Sequence, residues 1–419
     1  MMRRKRVLMV GAGSCQINGI KRMRDMGIET AVADYLETSK GKLLADIAVL
    51  ADAFSSEAIL EAARTLEVDG VLTVGTDQPV LCVTKACEEL NLPTFISSET
   101  ALWVTDKRYM KERFKDFNIP TVPFAVISET FEESELEHIK PPYVVKPLDS
   151  QGQRGIYKLN STEAIREKFH KVVSYSRQDK ILVEAYYENK ELTVSGWVVD
   201  GAVKVLTITD RVTFSPERHI GVCIAHEYPS IHLERYEREI IEITERVCTA
   251  FNIQEGPIYF QYLVGNQGVM VNEIACRLGG AYEDVTIPLV TGIDVLGLSI
   301  EGCHSVTYDK ASLKAYAYGI KPPLFSTQLF FCHAGKIESM TDLNDLRACE
   351  FIHEVGYNFK VGETIPPTEN ASQRAGYMII TGQDEASLSK NIKSAYDILK
   401  ILDEKGVNLV IRGKRFYRD

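Results

Sequence analysis

The first hundred residues alternate between two hydrophobic periods, and this alternation restricts the fold more than any other feature of the chain. "RVLMVGAG" is an apolar run of strand length, and "CQINGIKRMRDMG" has helical spacing closed by Gly27. "IETAVAD" returns to a strand. "SSEAILEAARTLEVDG" opens on a capping serine and runs to a glycine stop. "VLTVGTDQP" is a strand entering a loop, and "PVLCVTKACEELNLP" is a helix begun by Pro79 and ended before Pro93. Strands alternating with helices predict a doubly wound, mostly parallel sheet.

The pattern then changes. "TDKRYMKERFKDFNIPTVPF" predicts a helix capped by Thr105, with Tyr109, Met110, Phe114 and Phe117 on its apolar face and Pro120 beyond its end. "YVVKPLDSQGQRGIYKL" is a strand, a lysine, a polar glycine-containing loop and a second strand. "KILVEAYYENKELTVSGWVVDGAVKVLTITD" is strand-rich, "LERYEREIIEITERVCTAFNI" is a long amphipathic helix, and "GPIYFQYLVGNQGVMVNEIACRLGG" is a hairpin. From about Leu313, short strands such as "QLFFCHAGKIESM", the polar "IPPTENASQRAG" and a helix "DEASLSKNIKSAYDILKIL" predict a small α+β domain.

Composition narrows the function. A net charge of −10 argues against a general nucleic-acid binder, which needs a basic stripe, but leaves room for a local basic pocket. Nine scattered cysteines with no CxxC fit a reducing compartment rather than a disulfide frame or structural zinc. The start "MMRRKRVLMVGAG" imitates a signal peptide, but its apolar run is too short. The most apolar window, "VTIPLVTGIDVLGLSI", is broken by Pro288, Gly292 and Asp294, so no membrane span is expected and the default location is cytoplasmic.

Three places carry possible chemistry. "GAGSCQ" ends the first strand, and Asp34 follows roughly twenty residues on, where an NAD enzyme holds its ribose. Gln16 stands where the third glycine of that fingerprint belongs, so a tight turn at a helix N-terminus is the plainer reading. In the hairpin, a three-residue loop of Asn266, Gln267 and Gly268 pairs Gly265 with Val269. That register sets Gln261 opposite Glu273, with Leu263 and Val271 on the same face and Ala275 following. Two side-chain oxygens side by side suit a hard cation. Lys146 ends a strand before Gly152 and Gly155, whose loop can close backbone amides over phosphate, with Arg154 adding charge.

In this order "TDKRYMKERFKDFNIPTVP", "YVVKPLDSQGQRG", "ILVEAYYENKEL" and "VNEIACRLGG" resemble the ATP-grasp superfamily of carboxylate–amine ligases. The resemblance implies three parts: a pre-ATP-grasp domain over residues 1–102, a two-lobed ATP-grasp domain over 103–312, and a C-terminal α+β domain over 313–419. It implies that Lys107 and Lys146 contact the nucleotide phosphates, and that Ser150, Gln151, Gly152, Arg154 and Gly155 belong to a mobile lid. Glu184, Ala185 and Tyr186 match the adenine hinge, Glu191 the ribose-binding glutamate, and Leu263 the floor under the base. Glu273 matches a magnesium ligand with Gln261 beside it, and Arg277 the arginine that meets the phosphate or acyl phosphate.

The implied cofactors are ATP and one or two Mg²⁺ ions, the implied partners a small carboxylate and a small amine, and a homodimer is common in similar enzymes. Many relatives carry an acid where Gln261 stands and an asparagine where Ala275 stands. Those departures put a second ion in doubt. The layout looks most like the L-amino-acid ligases, with purine-pathway carboxylate ligases as nearest rivals. An inactive ATP-binding protein and an NAD oxidoreductase are the readings from other classes. For the acceptor site the irregular stretch from Thr209 to Ser230 offers Arg211, Arg218, His219, His226 and Glu227, and the C-terminal domain offers Arg374. Glu283 and Asp284, nearby in sequence, are further candidate metal ligands, but a solvated loop after the glycines is the plainer expectation. Cys276 is expected to pack as core.

Overall fold

A computed structural model describes residues 3–214 and 220–412. Its first strand shows why the strands of the N-terminal sheet are so apolar. Within β1 (Arg6–Val10), Leu8 and Val10 join one hydrophobic cluster while Val7 and Met9 join another, so both faces of the sheet are covered. Helix α1 (Ile17–Asp25) is followed by β2 (Glu29–Asp34), then β3 (Ile47–Leu50), α2 (Ser56–Thr65), β4 (Gly70–Leu72) and α3 (Pro79–Glu89). The four strands are parallel in the order β3-β2-β1-β4, as the alternation predicts. β3 was not legible, because "IAVL" is too short to show a period.

Two local expectations are corrected. Helix α2 does not stop at Gly70; Glu67 takes the left-handed turn at φ 50°. Gly70 lies within β4, where an added Cβ would meet the Cys303 carbonyl at 2.3 Å. Thr105 does not cap the next helix. It ends α4 (Ser98–Thr105), and Asp106 caps α5 (Lys107–Asp116) by accepting from the Arg108 amide at 2.8 Å.

The middle region has two lobes. β5 (Phe124–Ile127), β6 (Tyr143–Pro147), β7 (Tyr157–Leu159) and β8 (Ile181–Ala185) form an antiparallel sheet in the order β5-β8-β6-β7, packed against α6 (Thr162–Val173). The second lobe is built from β9 (Lys190–Val199), β10 (Ala202–Thr213), β11 (Cys223–Tyr228), β12 (Gly256–Gly265) and β13 (Gly268–Ala275), with α7 (Leu233–Ala250) buried against one face. α8 (Glu283–Thr291) and α9 (Val295–His304) follow, and α9 packs against the N-terminal sheet.

The large sheet continues into the C-terminal region. β14 (Leu324–Cys332) pairs with β11, and the strands Gly376–Gly382 and Ile352–Tyr357 extend the sheet beyond it. The expected boundary at 312/313 therefore separates sequence segments that share one nine-stranded sheet. Among the described residues no single helix is long and apolar enough to cross a membrane; the apolar α8–α9 pair bends by 115°.

Candidate functional site

Lys146 ends β6, yet its side chain is 8 % exposed. Its ammonium lies 2.6 Å from Glu184 Oε2, at the end of β8, and donates to Asn272 Oδ1 at 2.9 Å. The second Glu184 oxygen lies 2.6 Å from Lys111 Nζ. Burial alone would raise the Glu184 pKa, but the two ammonium groups outweigh it and hold the carboxyl at about 2. A lysine at a strand end is thus buried because a carboxylate on the neighbouring strand pairs with it.

The hairpin supplies the facing wall. Its loop has two residues rather than three, so Gly265 pairs with Gly268 and Leu263 with Met270. The ladder then slips by one residue at Gln261/Tyr262, and Asn272 is the extra residue on the opposing strand. The slip restores Gln261 opposite Glu273 and turns Asn272 toward Lys146. Val271 does not share their face: it pairs with Tyr262 and both are buried in the core. Glu273 Oε1 lies 3.7 Å from Lys107 Nζ. Desolvation would raise the Glu273 pKa, but Lys107 and Lys146 bring it below the ordinary range.

Lys146, Glu184, Gln261, Asn272 and Glu273 line a cavity of about 890 Å³ between the two lobes, together with Glu191 and Leu263, and Lys107 stands just outside it beside Gln261 and Glu273. Ala185 and Tyr186 line it too, although their amides already donate to the carbonyls of Pro123 and Pro142. Glu191 is ion-paired with Arg211 directly across the β9–β10 ladder. Arg211 also donates to the Gly221 carbonyl at 2.9 Å.

The loop after Lys146 lies across the site. The Ser150 carbonyl accepts from Lys107 Nζ at 2.9 Å, and the Gln151 side chain accepts from the Asp77 amide at 2.9 Å. The Gly152 carbonyl accepts from the Ala371 amide at 3.3 Å, so the loop touches the N-terminal and C-terminal regions together. Gly155 has φ 74°, and a Cβ there would meet Tyr175 at 2.7 Å. Arg154 is exposed and donates to the Gln151 carbonyl at 3.2 Å, away from the cavity that Gln153 and Ile156 line.

A second group of charges lies where the three regions meet. Arg277 pairs with Asp77 and stacks over Tyr259, with 4.6 Å from guanidinium carbon to ring centre. Glu283 and Asp284 are not in a solvated loop. They begin α8, and Glu283 is buried, with Oε2 accepting from the Ala281 amide at 2.6 Å and Oε1 3.9 Å from His226 Nδ1. Burial raises the Glu283 pKa against the opposing charges of Arg277 and Arg374. His226 is pushed down to about 3, by burial first and then by Arg211 and Arg374. Arg374 and His226 thus bear on one point, although they belong to different regions. Arg218 and His219 lie outside the described residues. Cys276 packs against the core, and burial pushes its thiol to about 12.

Lys111, Asn272 and Asp77 were missed by sequence reasoning. Lys111 follows Lys107 by one helical turn, on the face that carries Met110 and Phe114, and a charge there is a signal of buried pairing. Asn272 depends on a bulge with no signature. The dinucleotide reading loses its site. Asp34 accepts from the Ala12 amide at 2.9 Å, and Gln16 fills the turn, accepting from Gly13 and donating to Val74.

Comparison with known proteins bears on the fold and the domain content. Residues 139–284 match the ATP-grasp domain model, and residues 328–402 match the model of L-amino acid ligase C-terminal domain 2. The chain is 26 % identical over 278 residues to a phosphoribosylamine–glycine ligase of Methanopyrus kandleri, covering 59 % of this chain and 60 % of that one. It is 23 % identical over 290 residues to an L-arginine-specific L-amino acid ligase of Bacillus subtilis, covering 65 % of this chain and 66 % of that one. These matches span less than two thirds of either relative. The structure of an L-amino acid ligase from Bacillus licheniformis superposes with a TM-score of 0.81 at 18 % identity, over 96 % of this chain and all of that one. The chain therefore contains an ATP-grasp domain, followed by a segment that matches the C-terminal domain 2 of L-amino acid ligases.

Proposed function

We propose that the protein is an ATP-dependent, ADP-forming carboxylate–amine ligase that joins an amino acid or similar acid to an amine through an acyl phosphate. One observation carries this reading: Lys146 and the Gln261–Glu273 pair line one cavity large enough for a nucleotide, and Lys107 stands beside it, 3.7 Å from Glu273. Lys107 and Lys146 hold the phosphates, Glu191 and Leu263 face ribose and base, and the hinge beside the base is backbone at Ala185 and Tyr186. Glu184 acts on the nucleotide through Lys146, since both its oxygens face lysines.

One carboxylate and one amide oxygen fit Mg²⁺, which commonly takes one or two carboxylates and fills its shell from phosphates and water. Among the described residues no three His, Cys, Asp or Glu groups gather as a cation cage. Glu273 with Gln261 would hold the ion, which when bound neutralises charge on the transferring phosphoryl group.

An oxygen of the acid attacks the γ-phosphorus in line and ADP leaves, giving the acyl phosphate. Residues 150–155 cover the site and exclude water that would hydrolyse it. Arg277 then exchanges Asp77 for the acyl phosphate. The amine attacks the acyl carbon, phosphate departs, and the amine loses a proton. His226, Glu283 and Arg374 border the acceptor side, and Arg374 suits a substrate carboxylate. Arg211 serves Glu191 instead.

ADP release measured across a panel of acids and amines tests the proposal. Turnover with an amino acid and an amine supports it. Turnover only with a ribonucleotide-type amine favours the purine-pathway reading. Tight ATP binding with no turnover favours an inactive binder, which Gln261 and Ala275 motivate.

A further inference from the structure

Lys111 is the lysine of this site that phosphate binding leaves unassigned. Its side chain is 2 % exposed, and it stands behind Lys146 and Glu184 instead of in the cavity wall. An ammonium at that depth is costly unless paired. It lies 2.6 Å from Glu184 Oε1 and donates to Thr121 Oγ1 at 2.7 Å. Thr121 in turn donates to the Val271 carbonyl at 2.9 Å, next to the bulge that holds Lys146 through Asn272. One carboxylate is therefore shared between a lysine that faces the cavity and one that does not.

The charge count gives this arrangement a consequence. Lys107, Lys111 and Lys146 surround Glu184 and Glu273, so three positive groups against two negative ones leave one net positive charge. Without Lys111 the count is zero, and Glu184 takes the whole charge of Lys146. We propose that Lys111 is a positioning residue for nucleotide binding: it occupies one oxygen of Glu184 and so leaves the charge of Lys146 available to a polyphosphate. This rests on the ATP reading above.

The test is titration with a fluorescent ATP analogue, alongside circular dichroism to verify folding. Lys111→Met should weaken binding about thirtyfold, the scale of breaking a buried charge pair. Lys111→Met with Glu184→Gln removes one charge of each sign and restores the net count. It should bind about fivefold more tightly than the single variant, a gain of less than one tenfold step in affinity. A role in packing alone predicts no such recovery, because the double variant loses more buried contacts. Undiminished binding by Lys111→Met, or no recovery in the double variant, overturns the proposal. Should Lys111→Met fail to fold, the double variant is read against the unaltered chain. A loss below about tenfold then supports the proposal and a larger one overturns it. No binding by the unaltered chain overturns the ATP reading itself, and is distinct from every variant result.

Discussion

Arg277 Nε donates to Asp77 Oδ1 at 2.8 Å, joining residues 200 positions apart across the N-terminal and middle regions. The arginine is buried, and the backbone amide of the same aspartate is bound by Gln151 from the loop over the cavity. The pair keeps a buried guanidinium compensated while no anion is present. Asp77→Asn should lower the apparent Tm by a few degrees in the absence of ligand, as expected for about 1–2 kcal/mol lost from a partly buried pair. ATP with a substrate acid should shrink that deficit. Thermal melts with and without ligands check this, and an unchanged Tm without ligand would show that the pair contributes nothing.

Lys146→Ala should reduce ATP affinity by at least about tenfold, on the scale of losing a charge-assisted phosphate contact. The fold should survive, since Glu184 keeps Lys111 at 2.6 Å. Calorimetric titration with ATP and a far-ultraviolet spectrum decide it together. Unchanged affinity would sink the phosphate assignment.

Glu273→Gln should leave the melt nearly unchanged and cut ADP formation by about a hundredfold or more, because it removes the one carboxylate of the Gln261–Glu273 pair. ATP binding without magnesium should be affected far less. ADP production in a coupled assay over a magnesium series provides the measurement. Full activity at every magnesium level would remove Glu273 from the metal site.

Burial pushes the Asp284 carboxyl up to about 7, against the opposing hydrogen bond from Asn18 Nδ2 at 2.9 Å. Its folded pKa is above its unfolded value. The folded chain therefore binds the extra proton, and this stabilisation fades as pH rises from about 4 to 7. Asp284→Asn keeps an acceptor for Asn18 and removes the half-buried charge. It should raise the apparent Tm at pH 8 and much less at pH 5. An equal gain at both values would mean that the carboxyl does not titrate in this window.

How far the sequence reached depended on the range of each interaction. The N-terminal sheet was legible because its strands and helices differ in period. The pairing of Gln261 with Glu273 was reached through two offsetting differences: the loop is one residue shorter than expected, and the bulge at Asn272 restores the register. Lys111 and Asp77 were not legible as site residues, because their partners Glu184 and Arg277 are distant in sequence and nothing local announces them. Glu283 was misplaced for a related reason. The two glycines before it suggested a loop, whereas Gly280 lets the chain pack closely against Gly75 and Gly279 leaves room for the Glu283 carboxyl at the start of α8.

The strand Leu324–Cys332 hydrogen-bonds to Cys223–Tyr228, the strand that bears His226. Under the acceptor role proposed for His226, acceptor preference is not a detachable module. A chimera that exchanged the C-terminal region at residue 313 would have to supply a strand matching that edge. If its replacement strand docked one residue out of step, every side chain on it would change face, and the pairing of His226 with Thr327 would be lost along with the graft. Recombination designed to retarget this protein is best cut in the loops flanking the whole nine-stranded sheet.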